Sequence, residues 1–295
     1  MFEGFLEKFL LKYFGEYLCG IDKTNLSIAV WKGEINVRTV DINPEILKKL
    51  SLPLRLVFGR VDSLVLRVPW KNLSSSPVEV SIESISLVLA LEDLATWFHK
   101  RNYLELCNAL LDAIQDEMTR KIEEESDKKD DKATFFESIF DNLVVSVRNI
   151  HIRVECPFNP HNYVFGAVLE DFSLRSVDSE GKPIFVKRAS KTEKVTKLVR
   201  FNNLQLYHDS KIQTGRNINL IEYFFKSTKA DGHQIMQLDL DVIFSVEPYS
   251  PGATKPVYQV ATDIASISTT FEPGTIRDFA HFVEYLGAFK QCKLE

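Results

Sequence analysis

The stretch from Met236 to Val246 constrains the fold more than any other part of this chain. Met236, Leu238, Leu240, Val242, Phe244 and Val246 alternate with Gln237, Asp239, Asp241 and Ser245, and Ile243 alone departs from the pattern. A β-strand points successive side chains to opposite faces, so this spacing gathers the apolar groups on one side. An apolar face of that length must be covered. The cover is either another sheet or something apolar that is not protein, and that choice decides what the molecule does.

Comparable segments recur along the 295 residues. Residues 26–31 and 34–42 flank Lys32-Gly33, a two-residue connection of the hairpin kind. Further strands are predicted at 54–58, 61–68, 78–91, 143–155, 163–177, 184–187, 197–208, 235–247 and 257–271. Helical spacing replaces alternation from Phe2 to Leu18, where Phe2, Phe5, Leu6, Phe9, Leu10, Tyr13, Phe14 and Tyr17 form one stripe. It returns at 44–50, from 92 to 125, at 134–140 and at 217–226. It ends with 273–290, which opens on Pro273. Residues 123–132 are almost entirely charged, with both signs, and read as a solvated loop. Strands linked in sequence without strand–helix–strand alternation predict a mainly β (α+β) fold built on an antiparallel meander. Alternation by itself also fits a closed sandwich or barrel core.

Residues of obvious chemistry are missing from this pattern. There is no GxGxxG, GxxxxGK[ST], GxSxG or HExxH, and the six histidines are not spaced as a local metal pair. His151 lies mid-strand beside Arg153 and reads as structural. Asp239 and Asp241 share a strand face, which a solvated sheet surface explains. Cys19, Cys107, Cys156 and Cys292 contain no CxxC, so neither a zinc site nor a disulfide framework is expected. A net charge of −5 gives no electrostatic footprint for nucleic acid. No apolar run reaches the length of a membrane-spanning helix, and Glu3, Glu7, Lys8 and Lys12 interrupt the N-terminus where a signal peptide would be apolar.

Several words in order resemble the chorein family, the vacuolar protein sorting-associated protein 13 type. They are Gly15-Glu16-Tyr17, then 22–33 (DKTNLSIAVWKG), Leu52-Pro53, 64–73 (LVLRVPWKNL) with Pro77-Val78-Glu79-Val80, 142–153 (NLVVSVRNIHIR) and 165–169 (FGAVL). The resemblance runs to about residue 210. Trp31-Lys32-Gly33 and Val68-Pro69-Trp70 favour it over a related family of autophagy lipid-transfer proteins.

The resemblance implies an open, strongly twisted sheet forming a scoop or groove with an apolar concave face. Residues 1–19 would cap it, 92–142 would form a helical and charged insertion, 143–271 would continue the sheet, and 273–290 would close it. Together they would make one domain, 1–295, of a much longer chain. It implies non-enzymatic binding and transfer of glycerophospholipids between organelle membranes at contact sites, with no cofactor. The expected setting is cytoplasmic, peripheral at the endoplasmic reticulum, with membranes touched through the first helix and adaptor proteins held by regions further along. The candidate lipid-facing residues are Leu26, Ile28, Val30, Leu64, Leu66, Val68, Leu87, Leu89, Val145, Val147, Val168, Phe172, Leu238, Leu240, Val242 and Phe244. Two alternatives stay open: a β scaffold for protein or membrane surfaces that carries no lipid, and a hydrolase with dispersed catalytic residues.

Overall fold

The computed structural model describes residues 17–19, 33–49, 52–73, 75–98, 139–158, 161–187, 194–210, 233–247 and 257–292. Among the described residues nine strands form a single sheet: β1 (Glu34–Asp41), β2 (Leu54–Arg67), β3 (Glu79–Ile82), β4 (Ile85–Leu91), β5 (Val144–Phe158), β6 (His161–Ser176), β7 (Val195–Asp209), β8 (His233–Glu247) and β9 (Val257–Thr269). Their order in space is β1-β2-β3-β5-β6-β7-β8-β9, and β4 shares the lane of β3, between β2 and β5. Two helices matter here, α1 (Glu45–Lys49) and the long α2 (Pro273–Cys292).

The meander prediction needs one correction. β5 runs parallel to β3 and β4, while every other pairing is antiparallel. Parallel neighbours require a long crossover. The connection from Leu91 to Val144 is long enough to carry the chain back, so β5 keeps the direction of β4 instead of reversing it.

Three strand boundaries differ from expectation. β2 is one strand, not two, because Gly59 stays paired with Leu87 and a bulge at Val57 takes up the irregularity. The expected strand 78–91 is cut at Glu83-Ser84 into β3 and β4. Residues 184–187 form no strand. There the Asn142 carboxamide grips Val186 instead, accepting from its N–H (2.6 Å) and donating to its carbonyl (3.0 Å). The first helix, the strand 26–31, the residues from 99 to 138 and the helix 217–226 lie outside the described residues, apart from Tyr17 to Cys19, where Leu18 bridges to Ile42.

Burial concentrates at the β1–β4 end. Leu18, Ile35, Val40, Val61, Leu64, Leu66, Val68 and Val78 form one buried core, with Trp70, Ile82, Ile85, Ile139 and Leu143 packed against it. Gly33 closes a turn against this core with φ of +80°. A Cβ there would come within 2.6 Å of the Val68 carbonyl, so a side chain is excluded. A second cluster joins Leu91, Cys156 and Tyr163 to Phe282 and Tyr285 of α2.

Candidate functional site, an apolar sheet face

Register shows which residues share a face, because directly paired residues project to the same side. One row runs Val37–Leu64–Ile82–Val147–Phe172–Phe201–Leu240–Ile264 across the whole sheet. A parallel row runs Ile35–Leu66–Val80–Val145–Leu174–Val199–Val242. A third runs Val40–Val61–Ile85–Ile150–Leu169–Leu204–Leu238–Ile267. Every member of the three rows is apolar.

The first and third rows are separated by three residues on nearly every strand. Strict alternation would put them on opposite faces. They are on the same face: Val40 and Val61 share one core with Leu64 and Leu66, and Ile82 and Ile85 both pack on it. The phase therefore slips by one residue across a transverse crease. From β1 to β7 two polar residues sit at the slip: Arg38-Thr39, Asp62-Ser63, Glu83-Ser84, Arg148-Asn149, Glu170-Asp171 and Asn202-Asn203. Thr39 (φ 49°), Asn149 (φ 50°) and Asn203 (φ 54°), on β1, β5 and β7, take the left-handed backbone conformation there. β8 alone has Leu238 and Leu240 two apart, and the pairings on both of its sides shift register to compensate.

Coverage of this face is uneven. On β1 to β4 it is core. On β5 to β8 Val147, Leu169 and Leu238 are buried, while Val145, Ile150, Phe172, Leu174, Val199, Phe201, Leu204, Leu240, Val242 and Phe244 are half-buried. On β9 it is open, with Val260 62%, Ile264 44% and Ile267 56% exposed. α2 covers only one margin. His208 and Asp278 meet at 3.0 Å, Thr275 lies 3.1 Å from the other His208 nitrogen, and Tyr285 donates to the Glu92 carbonyl at 2.7 Å. The Phe282 ring sits 5.5 Å from that of Phe165. Ile276, Phe279, Val283 and Leu286 form an exposed apolar stripe along α2.

Most of the sequence candidates that can be placed fall on this face. Leu64, Leu66, Val68, Leu87, Leu89, Val145, Val147, Phe172, Leu238, Leu240, Val242 and Phe244 do so, although Leu64, Leu66 and Val68 belong to the packed core. Val168 does not. It pairs with His151 and Gln205 on the other side. Counting by twos from Phe172 crosses the Glu170-Asp171 slip, which moves Leu169 onto the apolar face instead. Leu26, Ile28 and Val30 lie outside the described residues. Sequence reasoning missed Leu174, Val199, Phe201, Leu204 and Ile264, and the repeated apolar–polar–polar–apolar word is the signal that finds them.

The opposite face is polar along the crease. Ser63, Ser81, Glu83, Ser146, Arg148, Asp171, Ser173, Arg175, Arg200 and Asn202 line a half-open cavity of about 430 Å³. Its charges largely satisfy one another. Arg200 forks onto Asp241 at 2.8 and 2.9 Å, which holds that carboxyl below its usual range. Asp239 accepts the Asn203 N–H at 2.6 Å, so neither aspartate is held for a cation.

Groups that look reactive are locked instead. Burial, with the Arg153 charge, pushes the His151 imidazole down to about 3, and its Nε2 lies 2.7 Å from the Tyr207 hydroxyl. Burial pushes the Cys156 thiol up to about 12. Among the described residues no helix is long and apolar enough to cross a membrane, and no cluster of His, Cys, Asp or Glu is placed to hold a metal.

Residues 1–231 match the family described as the VPS13-like family N-terminal region. The chain is 30% identical over 224 residues to the intermembrane lipid transfer protein VPS13 of Chaetomium thermophilum, covering 71% of this chain and 7% of that protein. It is 28% identical over 216 residues to the intermembrane lipid transfer protein VPS13A of Mus musculus, covering 70% and 7%. A third relative, the intermembrane lipid transfer protein vps13B of Dictyostelium discoideum, is 34% identical over 165 residues, covering 52% and 3%. The chain thus spans only a small part of the length of the relatives it matches.

Proposed function

Since this chain belongs to the VPS13-like family, we propose that its apolar sheet face forms a groove that takes up the acyl chains of glycerophospholipids and passes them between membranes. The observation that carries the reading is the run of three apolar rows out of a packed core onto strands where the same face stands half-open and then open. Moving an acyl chain into water costs about 0.8 kcal/mol per methylene, so a sixteen-carbon chain costs on the order of 13 kcal/mol. A continuous apolar surface lowers that barrier while the head group stays wet. The process needs no acid, base or nucleophile, so the protein acts as a carrier and not an enzyme.

Val145, Val147, Phe172, Leu238, Leu240, Val242 and Phe244 are the proposed lipid contacts, joined by Leu174, Val199, Phe201, Leu204 and Ile264. Leu87 and Leu89 lie further up the same face. Leu64, Leu66 and Val68 anchor its closed end. In this reading residues 1–295 act as one lipid-transfer domain, peripheral to the endoplasmic reticulum at organelle contacts, with the segment 2–18 touching the membrane and adaptors held elsewhere in a longer protein.

Mass spectrometry of lipids co-purifying after gel filtration tests it, using wild type, Leu240→Glu/Val242→Glu and Ile243→Glu. Ile243 is the control because it lies on the opposite face, paired with Leu198. Several phospholipids on wild type and Ile243→Glu, with few on the double variant, support the groove. A folded wild type without lipid removes it and leaves a β scaffold.

A further inference from the structure

We infer that the crease is a positioning device: the left-handed residues Asn149 and Asn203, with Thr39, set the phase that lets both arms of β1, β5 and β7 present apolar side chains to one ligand. The phase slip and the shared core are observations of the fold, and the ligand half of the inference rests on the lipid reading above. Three features carry it.

The slip recurs at the same height on neighbouring strands. The words Val37-Arg38-Thr39-Val40, Val147-Arg148-Asn149-Ile150 and Phe201-Asn202-Asn203-Leu204 each place a polar pair between two apolar residues of one face. An extended strand cannot do this, because period two sends residues three apart to opposite sides. On β1, β5 and β7 a left-handed residue in the middle resets the phase, as in a bulge, and β2 and β6 pair with these strands in unbroken register and carry the same slip without one.

The cost of that conformation is met locally. Asparagine tolerates it better than most residues. Asn203 is also held from three directions: its N–H donates to Asp239 at 2.6 Å, its Nδ2 donates to Glu170 at 2.9 Å, and its Oδ1 accepts from Gln205 and Gln237 at 2.8 Å each. Asn149 lies beside Ser84, whose hydroxyl reaches its carbonyl at 3.5 Å.

The arrangement matters most where the face is open. Phe201 and Leu204 stand on either side of Asn203, and both are half-buried. Without the reset, one arm of β7 would turn its apolar row to the polar cavity side, and a ligand would meet half the surface.

The test reads phase and lipid separately. Single cysteines replacing Phe201, Asn202, Leu204 and Gln205 in the full chain carry an environment-sensitive dye. The expected emission, without added lipid, is blue at 201 and 204 and red at 202 and 205. Blue at 201 and 205 with red at 202 and 204 overturns the phase reset outright. Brominated phosphatidylcholine is then added, with the expectation that it quenches 201 and 204 together. Quenching at none of the four positions, with the emission pattern intact, sinks the lipid reading and with it the ligand half of this inference, while the reset itself stands.

Asn203→Gly and Asn203→Val test the residue. Glycine adopts the left-handed region freely and valine opposes it. Glycine should keep the dye pattern and the bound phospholipid. Valine should lose the blue emission at one of the two sites and lower bound lipid by at least about twofold, since one arm loses its face. Valine matching glycine in both readouts overturns the assignment. If the valine variant does not fold, Asn203→Gly alone decides: it must keep the pattern or the assignment fails.

Discussion

Thr39 is β-branched and sits at φ of 49°, where a branched Cβ crowds the backbone. The left-handed region costs a non-glycine residue roughly 1–2 kcal/mol, and less for asparagine. Thr39→Asn should therefore stabilise the chain by about 1 kcal/mol, read as a rise in thermal midpoint. Gly166 makes the opposite prediction. A Cβ built there would collide with the Tyr207 ring, which lies across the glycine and is held by His151. Gly166→Ala should cost about 1–3 kcal/mol or more, by overpacking a buried ring that cannot swing away. His151 links stability to pH. Its folded-state value, about 3, lies below the ordinary imidazole value, so between the two the unfolded chain binds the extra proton. Stability from this group is complete above about pH 6.5 and falls as the pH drops toward 3, by about 2 kcal/mol at pH 5. Urea midpoints at pH 7.5 and 5 should show that loss, and His151→Gln should shrink it.

At the scale of elements, strands and helices were legible because alternation and helical spacing are local. β1, β5, β7, β8, β9 and α2 lie within a few residues of where the pattern puts them. Phase was not legible by counting. Counting by twos from Phe172 puts Val168 on its face, but the polar pair between them resets the parity, so Leu169 takes its place. The parallel pairing of β5 was hidden for a different reason, since strand direction depends on a crossover and not on the strand's own residues. Closure by the helix at 273–290 is expected from the sequence, but its polar anchors are not, because they are dispersed: Asp278 and Thr275 meet His208, and Tyr285 meets Glu92. These contacts make α2 a separable cover. Asp278→Ala leaves the buried His208 short of a partner, a loss of about 1–3 kcal/mol. Amide exchange should rise along 273–292 while β5 to β7 keep their protection. Equal loss of protection in the sheet would mean that α2 is integral to the core.

At the scale of the whole molecule, the same three rows do two jobs at opposite ends of one sheet. Where Leu64 sits they are core, packed by Leu18, Trp70 and Ile139; where Ile264 sits they face outward. A closed sandwich would give both ends the same energetics, whereas a groove that opens along its length would not. The comparison of Leu64→Ala with Ile264→Ala separates them. Removing a buried leucine side chain costs about 2–5 kcal/mol, and an exposed isoleucine about 0.5 kcal/mol or less. Phospholipid retained per protein should respond in the reverse order. Leu64→Ala, assayed well below its lowered midpoint, should hold lipid like wild type, while Ile264→Glu with Leu240→Glu should keep its midpoint and lose lipid. If thermal denaturation instead shows Ile264→Ala to be as costly as Leu64→Ala, the far end of the face is covered by protein, and the sheet is a scaffold whose apolar rows serve only to hold it together.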